Sequence, residues 1–169
     1  DTEITYAKAN NLNSDTIWHT EVLSDRMLIN LLLVLIGKST DTQTVFGSGN
    51  NNSYVNSFNF NNTGILTTGT MNKKGLFWGN QDTKSGVKIF GMENWWGNIY
   101  RRIAGWICSN GTHKIKLTRG TYDGSTTEGY NTTGDGYIPV SGVTTSDGCI
   151  KKMLANKFGL FPKEVGGSF

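Results

Sequence analysis

The residues able to do chemistry are few, and most of them sit in one stretch. Within "TYDGSTTEGYNTTGDGY", Tyr122, Asp123, Glu128, Tyr130, Asp135 and Tyr137 place carboxylates beside aromatic rings. Carboxylates that accept sugar hydroxyls, next to rings that stack on a sugar face, make a carbohydrate-binding combination. These six are therefore the candidate ligand-binding residues. A structural reading competes: a Gly-rich loop whose Asp and Asn side chains bond their own backbone while the tyrosines pack inward. The spacing is not that of an EF-hand calcium loop, which needs D-x-[DN]-x-[DN]-G followed by a distant Glu.

Catalysis has less to draw on. His19 and His113 are the only histidines, and neither lies in an HxxxH or CxxC setting, so no metal site and no catalytic residue is assigned and no cofactor is expected. The "GSGN" segment at 47–50 lacks the GxxxxGK[ST] spacing of a phosphate loop. Cys108 and Cys149 allow a disulfide closing a loop of about forty residues, for which chain entropy gives roughly 4 kcal/mol. The favoured alternative is a pair of buried free thiols, as in a protein assembled in a reducing cytoplasm. The Asn-x-Ser/Thr triplets at Asn51, Asn61, Asn110 and Asn131 read as accidents of an Asn- and Thr-rich chain.

Charge and length narrow the classes further. The 169 residues carry 16 Lys and Arg against 13 Asp and Glu, and the basic residues are scattered apart from the pairs Lys73-Lys74, Arg101-Arg102 and Lys151-Lys152. That pattern is a solvated surface rather than a nucleic-acid stripe. The longest apolar run, "MLINLLLVLI", falls well short of the roughly twenty residues a spanning helix needs, so no membrane insertion is expected. The first residues lack the basic-then-apolar order of a secretory signal and start at Asp, which suggests a processed boundary. A chain of this size can bury one core without staples and reads as a single domain over 1–169.

The elements that must position these residues follow from local signals. Ser24 as N-cap, Asp25 in the first turn and a left-handed Gly37 predict a helix over 25–36. Its apolar residues lie on nearly every side, which predicts burial under a sheet, with Asn30 needing a polar partner. Short strands are expected around Ile65-Leu66, Leu76-Phe77-Trp78, "GVKIFGM", "HKIKLTRG" and "GYIPVSG", the last at an edge because of Pro139. "IKKMLANKFG" fits a helix turn or a strand equally well.

"FGMENWWGNIYRRIAGWI" is the densest aromatic segment. Met92, Trp95, Trp96, Ile99, Tyr100, Ile103 and Ile107 match one helix face, but Gly97 and Gly105 oppose a continuous helix. A short helical turn ending near Gly97, followed by a strand, fits better. Trp95, Trp96, Ile99, Tyr100 and Trp106 are expected as structural core, with Arg101 or Arg102 paired to a carboxylate such as Glu93.

This segment resembles the core signature of the formylglycine-generating-enzyme branch of the C-type-lectin fold, usually close to "YGLYDMAGNVWEWVADW". Gly91, Gly97, Asn98, Ile99 and Tyr100 match, Asn94 stands in place of Asp, and Arg101 and Arg102 replace Glu and Trp. In order along the chain, "LSDRMLINLLLVLIGKSTDTQTVFG", "GVKIFGMENWWGNIYRRIAGWI", "DGSTTEGYNTTGDGYIPVSG" and "KFGLFPKEVGGS" resemble tail or fibre proteins of bacteriophages that infect gut bacteria. The resemblance implies an α+β, C-type-lectin-like fold with a buried N-terminal helix, a second short helix and a twisted antiparallel sheet with long loops. It implies a non-enzymatic virion structural protein, at a tail tip or fibre, binding a bacterial surface glycan or protein receptor. Other virion proteins and further copies of the chain are its expected partners, and the virion, assembled in the host cytoplasm, its location. Members of that group normally continue past the equivalent of "PKEVGGS" into an aromatic, Asn-rich segment that completes the lectin-like fold, and the resemblance implies that this sequence, which stops at Phe169, lacks it. The alternatives are a secreted lectin-like adhesin with a Cys108–Cys149 disulfide and a formylglycine-type oxidase. The cysteines do not match the late reactive pair of those oxidases, and the EPN and QPD triplets of calcium-dependent lectins are absent.

Overall fold

The computed structural model describes residues 20–50, 66–82, 85–97, 101–117, 129–146 and 149–166. They form a mixed helix and sheet architecture of the α+β class. The helices are α1 (Leu23–Gly37) and α2 (Thr42–Phe46). The strands are β1 (Trp78–Gly79), β2 (Val87–Ile89), β3 (Met92–Glu93), β4 (Trp106–Ser109), β5 (Thr112–Ile115), β6 (Ile138–Val140), β7 (Cys149–Asn156) and β8 (Gly159–Gly166). Three small sheets result, ordered β1-β2-β3, β4-β5-β6 and β7-β8. The chain gathers into two compact units, one of Asp1–Leu31, Arg102–Ser146 and Met153–Glu164, the other of Leu32–Arg101, Asp147–Lys152 and Val165–Phe169.

The first unit is built on the β4-β5-β6 sheet. Asn110 and Gly111 join β4 to β5 with φ of 48° and 71°, the left-handed pair that a two-residue type I′ turn requires. Register follows, with Ser109 opposite Thr112 and Trp106 opposite Ile115. β6 pairs through Pro139 opposite Lys114 and lies at the sheet edge, where a residue without an N–H is tolerated. Leu23 and Met27 of α1, Ile115, Val140 and Phe161 form the buried core, with Ile103, Trp106, Leu117, Val143 and Phe158 around it. Trp106 meets Phe161 edge-on at 5.6 Å, the geometry favoured by ring quadrupoles.

Pairing outside the helix sets where α1 starts. Leu23 N donates to Ala104 O at 2.9 Å and Ala104 N to Glu21 O at 2.8 Å. These bonds anchor Val22 and Leu23, so the helix begins ahead of the expected Ser24 cap, whose hydroxyl is buried without a hydrogen-bond partner. At the other end the left-handed residue is Lys38, not Gly37. Gly37 serves packing instead, since a Cβ there would lie 3.1 Å from the Phe46 ring. The helix is also not buried on all sides. Leu23, Met27 and Leu33 are covered, while Leu28, Leu31, Leu35 and Ile36 are exposed. An all-round apolar sequence limits which faces can be buried but does not supply the partner for each.

The second unit is organised by glycines that let backbone approach backbone. Asp41 caps α2, its carboxylate accepting from Thr44 N at 3.0 Å and Thr44 Oγ1 at 2.7 Å. At the end of α2 three rings meet in series, Phe46 tilted against Phe77 at 5.5 Å and Phe77 edge-on to Phe90 at 4.8 Å. A Cβ on Gly47 would lie 2.7 Å from Gly79 Cα, and one on Gly79 would strike the Phe46 carbonyl. β2 is buried at all three positions, Lys88 included, and its ammonium group donates to Met71 O at 2.8 Å. That bond is what makes burial of the charge tolerable.

The tryptophan segment departs from its expected form. Met92–Glu93 is a strand, residues 94–96 are turn and bend, and among the described residues the next strand is Trp106–Ser109. The second helix lies at Thr42–Phe46 instead. Phe90 and Gly91, at φ of 49° and 81°, turn β2 into β3, and Asn94 at 56° follows, so this backbone is left-handed at three of five positions and extended at the other two. "IKKMLANKFG" is resolved as strand, turning at Lys157-Phe158 into β8. Of the other expected strands, Leu66 is not in one, and Ile65 lies outside the described residues.

Candidate functional site

Of the six candidate ligand residues, Tyr122, Asp123 and Glu128 lie outside the described residues. Tyr130, Asp135 and Tyr137 are brought together by one loop, residues 129–137, leading into β6. Asn131 is its hub. Its Oδ1 accepts from Gly134 N at 2.6 Å, Thr133 Oγ1 at 3.1 Å and Asp135 N at 3.2 Å, and its Nδ2 donates to Asp135 O at 3.0 Å. An Asn that bonds the backbone three and four residues on closes the loop on itself.

The tyrosines point inward. Tyr130 and Tyr137 are 8% and 9% exposed and pack with Val22, Ala104 and Ile107. Lys116 Nζ stands 5.5 Å over the Tyr130 ring. The Tyr137 hydroxyl accepts from Asn131 N at 3.2 Å. Burial raises the Tyr137 pKa, opposed by its backbone hydrogen bond at Asn131. Rings this enclosed are not available for stacking on a sugar.

What the loop shows to solvent is polar. Thr132, Thr133, Asp135 and Gly136 are exposed, and Asp135 Oδ2 accepts the Thr133 hydroxyl at 2.8 Å. Gly134 is buried beneath them, and a Cβ there would sit 2.5 Å from Ile107 Cδ1. The arrangement holds a carboxylate and hydroxyls in fixed positions on a hydrophobic base. It can offer hydrogen bonds to a polar ligand, and among its described side chains none is a nucleophile next to a base.

His113 and Cys108 face each other across β4 and β5, a juxtaposition that invites a Cys–His dyad reading. Trp106 Nε1 donates to His113 Nδ1 at 3.0 Å, and His113 Nε2 lies 2.9 Å from Thr144 O. A donor at Nδ1 and an acceptor at Nε2 assign the neutral tautomer with its proton on Nε2. Both nitrogens are thus engaged, Nδ1 by Trp106 within the sheet and Nε2 by the loop after β6, and neither faces the thiol as a base. Cys108 is free and exposed, which corrects the expectation of a buried thiol and is not the state required by a Cys108–Cys149 disulfide. Cross-strand position at the rim of the sheet, rather than residue type, decides its exposure. Among the described residues, no group of three or more His, Cys, Asp or Glu could hold a metal ion.

The expected core residues are placed unevenly. Trp95 is buried, Trp96 and Trp106 are half-buried, and Ile99 and Tyr100 lie outside the described residues. Trp96 Nε1 donates to Gly47 O at 3.0 Å, and a Cβ on Gly49 would lie 2.6 Å from the Trp96 ring. Asn50 bridges to Gly97 in parallel. "GSGN" is therefore a landing pad for the tryptophan turn. Glu93 does not pair with an arginine as expected. Its carboxylate accepts from Gly69 N at 2.6 Å and Met71 N at 2.9 Å, because the turn at 69–71 presents two N–H groups that need an acceptor. Arg101 instead lies 5.5 Å over the Trp95 ring and donates to Asn94 O.

The sequence signal missed was Asn110-Gly111 between two alternating segments, a strong hairpin mark. The glycine contacts at 47, 49, 79 and 97 left no comparable trace, since a glycine needed for close approach reads the same as one in a loop. No family model matches the chain, and no curated protein or solved structure is significantly similar to it.

Proposed function

We propose that the chain is a non-enzymatic structural component of a bacteriophage particle, at a tail tip or fibre, that presents loops to a bacterial surface receptor. The ordered motifs resembling phage tail and fibre proteins support this reading, and the α+β architecture with short antiparallel sheets is compatible with a C-type-lectin-like scaffold. The observation that carries it is the 129–137 loop. Its side chains bond one another and its tyrosines anchor it, so Thr132, Thr133 and Asp135 are held at the surface without chemistry to perform. A preorganised loop loses less conformational entropy on binding a glycan or protein receptor. The turn is fixed by Asn131 and Tyr137, and the contact is made by Asp135 and its neighbours.

Adsorption of the purified, fluorescently labelled protein to intact cells of the particle's host tests the reading. Saturable binding is expected, weakened about tenfold by Asp135→Ala if its carboxylate accepts a receptor hydrogen bond. Absence of saturable binding, or turnover of a substrate by the purified chain, would contradict it.

A further inference from the structure

His113 stands where one proton changes what the β4-β5-β6 sheet can hold together. Strand register puts it on the same face as Trp106, Cys108 and Ile115, with its ring centroid 5.8 Å from that of Trp106. The Trp106 indole can only donate, so at 3.0 Å it requires a bare Nδ1, and the proton of the neutral ring lies on Nε2, 2.9 Å from Thr144 O. Thr144 is in turn tied by its N–H to Pro162 O of β8 at 3.0 Å, and Trp106 meets Phe161 of the same strand edge-on. All of these residues belong to the first unit. We propose that His113 is a pH-operated latch: a second proton on its ring breaks the Trp106 bond and frees the indole from its place beside Phe161.

The ring leaves one place for the incoming proton. It goes to Nδ1 and points at the indole N–H, so that two donors face each other at a distance that suits only a donor and an acceptor. The cationic ring keeps its Nε2 donor for the Thr144 carbonyl, and a charged donor makes the stronger bond, so the Trp106 contact is the one that yields. Both hydrogen bonds of His113 go to uncharged groups. Cys108, directly opposite on β4, is the titratable side chain on its own face. Lys114 and Lys116 alternate onto the other face, where a Cβ on Gly134 would come within 2.9 Å of Lys114 Cδ. β8 carries Lys163 and Glu164 beyond Pro162, and α1 carries Asp25 and Arg26 between the core residues Leu23 and Met27, with Arg26 held by Glu21 at 3.1 Å. The latch is closed while the imidazole is neutral and opens as pH falls. This proposal stands apart from the virion reading, since it needs only the sheet and the groups bonded to His113.

Nitrogen-15 spectra of the full chain from about pH 8 to about pH 5, the span in which imidazoles change charge, test it. The Trp106 indole signal is assigned by its loss in Trp106→Phe. At the alkaline end the His113 ring is expected in its Nε2–H form, and as it takes up the second proton the Trp106 indole signal should move with the same midpoint. Exchange of that indole hydrogen with solvent, measured against the other tryptophans, should speed up about tenfold, as for one hydrogen bond lost. His113→Gln, whose amide oxygen can accept from the indole but does not titrate, should hold the Trp106 signal constant across the series. An Nδ1–H ring at the alkaline end, a protonated His113 with the Trp106 signal unmoved, the same Trp106 shift in His113→Gln, or proton uptake only with global unfolding seen by circular dichroism would overturn the proposal.

Discussion

Tyr137 ties the candidate loop to the hydrophobic base beneath it, and its burial can be read by titration. Burial raises its pKa, so the folded state holds the phenolic proton more tightly than the unfolded chain. Its contribution to stability is fully present below pH 10, the ordinary tyrosine value, and is lost as pH rises through the raised folded value. Denaturant titrations between neutral and alkaline pH should show this loss, and Tyr137→Phe should flatten it while lowering neutral-pH stability by about 1 kcal/mol through the lost hydrogen bond. Asp41 runs the other way. The Thr44 hydroxyl, then the Thr44 amide, hold its carboxyl below the ordinary value, so the stability it provides is present above about pH 4 and lost as pH falls through the lower folded value. Asp41→Ala should cost about 1 kcal/mol at neutral pH, as for other helix caps, and remove that acid-side dependence.

Elements were legible where the signal was local and obscure where a distant partner decided. "LSDRMLINLLLVLIG" spells a helix whatever surrounds it, and α1 forms to within two residues of the expected limits. Its start and its exposed leucines were not legible, because bonds to Glu21 and Ala104 set the first and packing against the rest of the fold, which helical spacing does not encode, sets the second. "IKKMLANKFG" fits both periods, and only its pairing with β8 selects strand. The tryptophan stretch misleads for a different reason. Its apolar spacing is helical, but Phe90, Gly91 and Asn94 sit at positive φ, and the aromatic periodicity carries no record of that. Two substitutions probe these turns. Gly111→Ala places a Cβ in a left-handed position with open space around it and should cost about 1 kcal/mol from backbone strain alone. Gly97→Ala adds a contact 2.7 Å from Asn50 O to the same strain, and should cost about 3 kcal/mol, visible as a lower unfolding midpoint in denaturant.

At the scale of the whole molecule, the composition pointed to short strands and many turns, and the mixed helix and sheet architecture is compatible with the α+β class that the resemblance implied. Half of the candidate ligand set falls outside the described residues, and the described half divides by role. Tyr130 and Tyr137 are structural supports, and Asp135 is displayed. Counting residue types could not make that division, since a tyrosine that stacks on a ligand and one that anchors a loop are the same letter. The proposed tail or fibre role rests on motifs met in order along the chain and on a surface loop whose described side chains bond one another. Mass spectrometry of bacteriophage particles, purified by density gradient from a culture expressing this chain, tests that claim most directly. The account predicts peptides of this chain banding with the particles in amounts comparable to other tail components. Recovery of the chain only in the soluble fraction, with none in the particle band, would contradict it.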